Sequence, residues 1–520
     1  MSEADVRPRL VPESVPAPNP RRWAILGVLM VSLIVVMLDN TVLNVALPRI
    51  ESQLGATQSQ QEWFIDGYTL VFAALLFPYG VLGDRTGRRR VLLLGLTVFG
   101  IGSVASAYAG SAEMLIAMRV LMGIGGAAVF PATLAIITNV FEAEERRRAI
   151  AIWAGSGGLA LGIGPLVAGG LLSGGLWWGS VFLINAPIVA VGLVGIVVLV
   201  PESRDPHPQA LDPWGMLHAA AGLVFLVYGL IRGGETGSWT NRVVLAAIVA
   251  GIAILGLFVV IEARNRSAAL DIAWFSNPAF ASAVGALTLI SFALFGVMLV
   301  GTYYLQFDKG YSPLRAGVLF LPMALAIGVF APLSSVLSTR LGQRAVAAGG
   351  LALIALGFVP FMVFDHATSI AELEGTLFVL GVGIGTAMAP TTTAILESLP
   401  PQRAGAGSAV NSTVRQVGGA LGVAVLGSLL STVYRSRIDS ALGALPAPLR
   451  HAAGESIGAT QIVVGQLAKG TPDHGAALLR AASDAFVHAM HVAATVSVAA
   501  SLLAAAIVLA FMPRHSRSDP

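Results

Sequence analysis

The sequence predicts an all-α polytopic membrane protein. Of its 520 residues, 56% are hydrophobic and only 11% are charged, whereas soluble globular chains carry about a quarter charged residues. Mean hydropathy is +0.79. A run of about 20 apolar residues can cross a bilayer as a helix, and the chain has fourteen such runs. The predicted spans are 23–47, 61–82, 91–109, 113–139, 149–172, 178–200, 214–232, 242–262, 279–304, 314–338, 345–364, 374–397, 405–432 and 486–512.

These spans divide into two six-helix halves and an inserted helix pair. The turn GVLGDRTGRRR at 80–90 follows the second span, and the similar turn SVLSTRLGQR at 335–344 follows the tenth. Matching turns indicate an internal repeat and two halves of like topology. The predicted units are a disordered cytoplasmic tail (1–22), an N-terminal half (23–200), an inserted two-helix linker (201–270), a C-terminal half (271–512) and a second tail (513–520). The outer loop 433–485 is either an external cap or a tolerated insertion.

The distribution of basic residues predicts that both termini are cytoplasmic. Nineteen arginines lie in the tails and in loops on the side of the tails, and the short loops of the other side hold five basic residues. Basic residues concentrate in short cytoplasmic loops. The net charge of +3 therefore reflects topology, and no nucleic-acid partner is predicted.

An acid and a base are predicted at similar depth in the N-terminal half. Asp39 in LDNTVLNVALPRI lies eight residues from the outer end of the first span, and Arg119 lies six residues into the fourth. At 1.5 Å per residue, these positions are about 12 and 9 Å deep. Ionisable groups in hydrocarbon cost about 2.5–3.5 kcal/mol each and usually mark an ion or substrate path. The two form either a proton switch, in which Arg119 favours ionised Asp39, or a permanent structural ion pair.

A second acid, Asp66, lies in WFIDGYTL near the outer end of the second span. Its neighbours Trp63 and Tyr68 are expected in the interfacial aromatic belt. Asp66 is then either an interfacial residue or a second acidic group at a cation entrance.

The turn GVLGDRTGRRR is predicted to control a contact between helices. Glycines allow a turn to lie close against a neighbouring helix. An acid there can meet a helix N-terminus or an arginine, and the arginines hold the turn at the cytoplasmic face. The residues concerned are Gly80, Gly83, Asp84, Arg85, Gly87 and Arg88.

The fifth span carries GSGGLALGIGPLVAGGLL at 155–172. Small residues let helices approach closely, and a proline bends a helix and frees a carbonyl. Gly164, Pro165 and Gly169 are predicted to shape a seal between the halves in one state of the transport cycle. Ordinary glycine-rich packing is the alternative.

The thirteenth span carries a polar patch, Asn411, Ser412, Arg415 and Gln416. Residues three or four apart lie on one helix face. A mid-bilayer arginine is expected to face a cavity or a partner, and Arg415 has no obvious carboxylate in its own half.

Motifs for enzymatic chemistry are absent. GxxxxGK followed by Ser or Thr does not occur, nor does HExxH, so no enzyme activity, cofactor or metal is predicted. A metal site at His488 and His491, near Asp484, is disfavoured. The chain has no cysteine, which excludes disulfide and thiol chemistry.

Together these motifs resemble the major facilitator superfamily, specifically its fourteen-helix drug:proton antiporters. LDNTVLNVALP resembles the helix-1 signature, GVLGDRTGRRR the loop signature, RVLMGIGGA with Arg119 the helix-4 motif, and ALGIGPLVAGG the helix-5 antiporter motif. YSPLRAGVLFLP at 311–322 resembles the family's second half. The resemblance implies the major facilitator fold.

A narrower resemblance is to the branch that exports quaternary ammonium biocides, lipophilic dyes and viologens. WFIDGYTL and WWGSVFLINAPIV carry it. In that branch, acids in helices 1 and 2 are implicated in cation recognition and coupling, which here implies Asp39 and Asp66. Helix 13 departs from the branch, which has acids near the positions of Ser412 and Gln416.

The resemblance implies a proton-coupled multidrug efflux transporter in a bacterial cytoplasmic membrane. Its expected partners are lipophilic or cationic small-molecule drugs, protons and membrane lipid, and it is expected to work as a monomer. A dedicated exporter of an endogenous metabolite, antibiotic or lipid is the alternative. A peptide:proton importer is disfavoured because helix 1 lacks an ExxER motif, and a membrane scaffold or sensor would not need acids inside the bilayer.

Overall fold

Helices make up the regular structure of the part of the chain that the computed structural model describes. The described residues are 20–56, 58–205, 212–236, 239–264, 272–400, 403–443, 445–446, 449–450, 453–454, 456–467 and 472–513. The two predicted tails, 1–22 and 513–520, lie almost entirely outside them.

Seven helices build the N-terminal half. They are α1 (Arg22–Leu54), α2 (Gln58–Thr86), α3 (Arg88–Ala107), α4 (Ala112–Val140), α5 (Ala143–Ser173), the short α6 (Ser180–Leu183) and α7 (Asn185–Leu199). The inserted pair is α8 (Pro213–Thr236) and α9 (Arg242–Arg264). The short α6 and α7 together fill the sixth predicted span.

The C-terminal half holds eight helices within the described residues. They are α10 (Pro278–Tyr303), α11 (Pro313–Leu319), α12 (Leu321–Leu341), α13 (Gln343–Phe358), α14 (Ile370–Glu397), α15 (Ala404–Ile438), α16 (Ile457–Leu467) and α17 (Pro472–Phe511). A π-helical turn, Tyr304–Asp308, extends α10. The last helix, α17, begins at Pro472, inside the predicted outer loop 433–485 and well before the predicted span 486–512.

Thirteen helices in the described part of the chain are long and apolar enough to cross a membrane. The fifth predicted span corresponds to α5, which is 31 residues long but is not among the thirteen. The number fourteen therefore stays a prediction.

Local sequence explains where several helices start. Ser111 accepts a hydrogen bond from the backbone N–H of Met114 and caps α4, and Ser369 forms a capping box with Glu372 at the start of α14.

The two turns of the sequence repeat have related backbones: Gly87 before α3 has a φ of 119° and Gly342 before α13 a φ of 83°. Such angles favour glycine.

The two halves meet along two lines of helices. On one line α2 packs against α15, and on the other α5 packs against α12. The inserted α8 packs against both α2 and α15 and so covers the first line from outside. Trp239, in the turn after α8, donates a hydrogen bond to Ser428 of α15.

Candidate functional site

Asp39 and Arg119 form an ion pair inside the N-terminal half. The guanidinium donates to Asp39 Oδ2 from Nη1. The side chains are 1% and 0% exposed, respectively. The structure thus brings together the acid of α1 and the base of α4 that the sequence placed at similar depth.

A chain of neutral donors completes the surroundings of the carboxylate. Asn185, at the start of α7, donates from Nδ2 to Asp39 Oδ1 at 3.1 Å and to Ser103 Oγ at 3.0 Å. Ser103 of α3 in turn donates to the carbonyl of Phe182 at 2.9 Å. Sequence reasoning did not single out Asn185 or Ser103, although Asn185 is a polar residue in the apolar stretch FLINAPIV.

Two residues of α2 also contact the guanidinium of Arg119. Arg119 Nε donates to the carbonyl of Phe64 at 2.8 Å, and its Cζ lies 4.5 Å from the ring centroid of Tyr68. The expectation that Tyr68 belongs to the interfacial belt is therefore wrong, since it is 1% exposed, while Trp63 is 43% exposed. Five residues at 100° each put the two rings on different faces of the helix.

Asp66 lies on α2, two residues from both Phe64 and Tyr68, and is half-buried. It therefore keeps an accessible surface that Asp39 lacks.

Asp84 joins the two halves at the end of α2. Its Oδ1 accepts from Nε and Nη2 of Arg88, at 2.9 and 2.7 Å. The carboxylate also accepts from the backbone N–H groups of Gly405 at 3.1 Å and Ala406 at 3.2 Å, at the start of α15. The N-terminus of a helix carries partial positive charge that favours an anion. Asp84 thus uses both kinds of partner that the motif allowed, an arginine and a helix N-terminus.

Glycines allow this contact to be close. A Cβ on Gly80 would lie 2.6 Å from Ala409 Cβ, and one on Gly405 would lie 2.4 Å from Asp84 Cγ. Gly87 forms the turn between α2 and α3. Gly83, by contrast, has room for a Cβ, and Arg85 is exposed, so Arg88 is the arginine of the motif that holds Asp84.

A second link between the halves lies at the same side of the membrane. Arg147 of α5 donates from Nε to Glu397 Oε1 at 2.8 Å, at the end of α14. Glu397 also accepts from Gln343 Nε2 at 2.9 Å. Together with the Asp84 contact and the packing of α4 on α15, this link joins the two halves on the side where the turn 80–90 lies.

The glycine motif of α5 lies against both halves. A Cβ on Gly164 would collide with Thr41 of α1, 1.7 Å from its Oγ1. A Cβ on Gly169 would lie 2.4 Å from Leu314 Cδ1 of α11. Pro165 lies between them within the helix. The sequence prediction of a close helix contact at this motif therefore has a specific partner on each side.

The polar patch of α15 lies where that helix faces α5. Arg415 is half-buried, and its Cζ lies 5.7 Å from the ring centroid of Trp153. Asn411, one turn away, is 0% exposed. Gln416 is half-buried on the same helix.

A histidine cluster lies at the segment between α13 and α14. His366 contacts Asp308 Oδ1 through Nδ1 and Asp484 Oδ1 through Nε2, each at 2.9 Å. The carboxylates therefore lie on opposite edges of the imidazole, and among the residues that the structure describes no group of His, Asp or Glu could hold a metal. His488 instead contacts Arg437.

Acidic pH is expected to stabilise this cluster. Burial lowers the pKa of His366, but the hydrogen bond to Asp484 and the charge of Asp308 outweigh it, so the pKa is raised above about 6.5. Since the folded pKa is the higher one, the stabilisation is complete below the unfolded value and is lost as pH rises through the folded value. The melting temperature of His366→Gln should fall below that of wild type in acid and converge with it in alkali. His218→Gln, on α8, is the control, and a pH-independent difference would contradict the expectation.

Comparison with known proteins identifies the family. The model of the Major Facilitator Superfamily matches residues 29–423. The chain belongs to this superfamily. It is 36% identical over 490 residues to the multidrug efflux pump LfrA of Mycolicibacterium smegmatis, covering 94% of this chain and 96% of LfrA. It is also 36% identical over 476 residues to the methyl viologen resistance protein SmvA of Salmonella typhimurium, covering 91% and 94% of the two chains.

A solved structure shows the same fold. A bacterial homologue of the human lysosomal transporter Spinster, in an inward-facing and unoccupied conformation, superposes with a TM-score of 0.57. The alignment covers 94% of this chain and 98% of the other, at 19% identity. The major facilitator fold predicted from the sequence is confirmed. Superfamily membership indicates a multi-pass membrane transporter rather than an enzyme.

Proposed function

We propose that the protein is a multidrug efflux transporter of a bacterial cytoplasmic membrane, in which proton influx drives the export of lipophilic, cationic drugs. The observation that carries this proposal is the buried Asp39–Arg119 pair, together with the contacts that join the two halves at Asp84 and at Arg147. The multidrug efflux pump LfrA and the methyl viologen resistance protein SmvA support the drug part of it. The proposed transporter works as a monomer, with both termini in the cytoplasm.

Protonation of Asp39 would change the forces between α1, α4 and α7. The ionised carboxylate binds Arg119 of α4 and Asn185 of α7. A proton on Asp39 removes the counter-charge, and a buried charge left without its partner costs several kcal/mol. The N-terminal half would then relax towards an arrangement in which Arg119 finds other acceptors, so proton binding shifts the balance between two states.

The contacts between the halves on the cytoplasmic side would determine when a drug can enter from the cytoplasm. The Asp84 contact with α15 and the Arg147–Glu397 pair stabilise the closed cytoplasmic side. When they separate, a drug can enter from the cytoplasm or the inner leaflet. Asp66 keeps accessible surface near the outer end of α2 and would assist cation release or proton access.

Asp39→Asn is expected to abolish gradient-driven efflux. An amide cannot take up a proton, so ethidium efflux from vesicles under an imposed pH gradient should fall at least ~10-fold, to the rate without a gradient. Asp439→Asn, which alters an exposed acid at the outer end of α15, is the matched control and should efflux normally. Wild-type rates in Asp39→Asn would refute the coupling role.

A further inference from the structure

Arg415 carries a charge in the middle of the membrane that no described carboxylate neutralises. Within the described residues, the guanidinium contacts an aromatic ring, that of Trp153. Three acids of the spanning helices are already engaged elsewhere, in the pairs Asp39–Arg119, Asp84–Arg88 and Arg147–Glu397. A guanidinium at this depth is costly unless it faces a cavity or a partner.

The position of Arg415 is between the two halves. The residue belongs to α15 of the C-terminal half. A Cβ added to Gly157, on α5 of the N-terminal half, would lie 3.7 Å from Arg415 Nη2. That Cβ would also lie 2.9 Å from Met37 Cε of α1. Arg415 is half-buried, so part of its side chain is accessible. It lies at the interface of the two halves, which is where a transporter of this kind binds its substrate.

Hydrogen-bonding groups without partners lie beside it. Asn411 is 0% exposed, and neither its Nδ2 nor its Oδ1 has a hydrogen-bond partner; the same holds for Oγ of Ser412, which is 4% exposed. Asn411 precedes Arg415 by four residues and so lies on the same helix face. Helical side chains lean towards the N-terminus, which places the Arg415 side chain over the turn of Asn411. Buried amides are normally bonded, so this one is a further donor for a ligand at Arg415.

We propose that Arg415 and Asn411 bind an anionic group of the transported molecule, such as a carboxylate. The planar guanidinium fork matches a carboxylate in two parallel hydrogen bonds, and the Asn411 amide adds a donor. The inference rests on the efflux function proposed above and narrows its substrate class. The best substrates are amphipathic zwitterions, which carry an acid for Arg415 as well as a cation, because Arg415 repels a substrate that is only cationic.

Two matched dyes test this proposal: a rhodamine with a free benzoate, and its ethyl ester, which keeps the cationic rings and lacks the carboxylate. Binding to the purified full chain is measured by fluorescence anisotropy, and efflux in vesicles under a pH gradient. Wild type should bind the acid at least ~10-fold more tightly than the ester. Arg415→Gln should abolish this preference while ester binding changes less than about twofold, and Arg415→Lys should keep part of it. Arg435→Gln, an exposed arginine of the same helix, is the control.

The results of these measurements distinguish a failure of the anionic site from a failure of the efflux function. Equal binding of both dyes by wild type, or an equal loss of both in Arg415→Gln, overturns the anionic site. The requirement for chloride is tested by replacing chloride with gluconate. If ester efflux requires chloride and wild type shows no preference for the acid, the anionic substrate site is also overturned, and Arg415 is assigned to an inorganic counter-ion. If wild type exports neither dye under a gradient, the efflux function fails as well. If it exports the ester without preferring the acid, the function stands and the anionic site alone fails.

Discussion

Arg119→Leu is expected to destabilise the protein by about 3–5 kcal/mol, because it leaves the Asp39 carboxylate buried without its counter-charge. Asp39 is 1% exposed, so water cannot replace the guanidinium without a rearrangement of α1, α2 and α4. The variant should also lose the bonds that Arg119 makes to the carbonyl of Phe64 and the ring of Tyr68. A melting curve in detergent, read through the intrinsic tryptophan fluorescence, measures the loss.

A double variant separates the fold from transport. Asp39→Asn with Arg119→Leu contains no buried charge at this site, so it should recover most of the stability lost in Arg119→Leu alone. It should remain unable to couple efflux to a pH gradient, because the proposed coupling acid Asp39 is gone. Full stability of Arg119→Leu by itself would show that the pair is dispensable for the fold, and gradient-driven efflux by the double variant would show that Asp39 does not carry the proton.

The burial of Asp39 bears on whether this acid meets the proton or the drug. With 1% of its side chain exposed and Arg119 and Asn185 on its oxygens, it offers no surface to a molecule of drug size. A proton needs only a hydrogen-bonded path. In the closed conformation Asp39 is therefore suited to proton coupling, and half-buried groups such as Asp66 and Arg415 are the ones with surface to contact a drug.

The sequence predicted the depth of residues along helices better than their direction around them. The rise per residue placed Asp39 and Arg119 level with each other, and the structure pairs them. The same reasoning assigned Tyr68 to the membrane interface, because it considered depth and ignored the rotation of 100° per residue that turns this ring towards Arg119. Asn185 was missed because its partner, Asp39, lies 146 residues away in the chain, and only the packing of α7 on α1 brings the two together.

The contacts between the two halves were the feature of the structure that was hardest to predict from the sequence. The turn around Asp84 predicted an acid that meets an arginine or a helix N-terminus, but the sequence could not indicate that the helix would be α15 of the other half, 321 residues away. The sequence prediction counted Arg147 only as one of the nineteen arginines on the side of the tails and did not connect it with Glu397. Their pairing depends on how the halves are oriented, which no local pattern encodes.

Gly405→Val is expected to open the cytoplasmic side. A Cβ at this position would lie 2.4 Å from Asp84 Cγ, so the carboxylate must leave the backbone N–H groups of Gly405 and Ala406. Each hydrogen bond to a charged group contributes about 1.5–3 kcal/mol, and losing them should raise the ratio of open to closed molecules by about tenfold or more. Efflux should fall because the closed state becomes too rare.

The absence of cysteine in the chain makes this shift measurable. Nitroxides on Arg90→Cys and Arg340→Cys, exposed positions at the cytoplasmic ends of the two halves, report the separation of the halves by double electron–electron resonance. Gly405→Val should add a population at longer distance. Gly349→Val is the matched control, because a Cβ there meets nothing within 4 Å. An unchanged distance distribution in Gly405→Val would mean that the Asp84 contact does not hold the cytoplasmic side closed, and the Arg147–Glu397 pair would then have to do so alone.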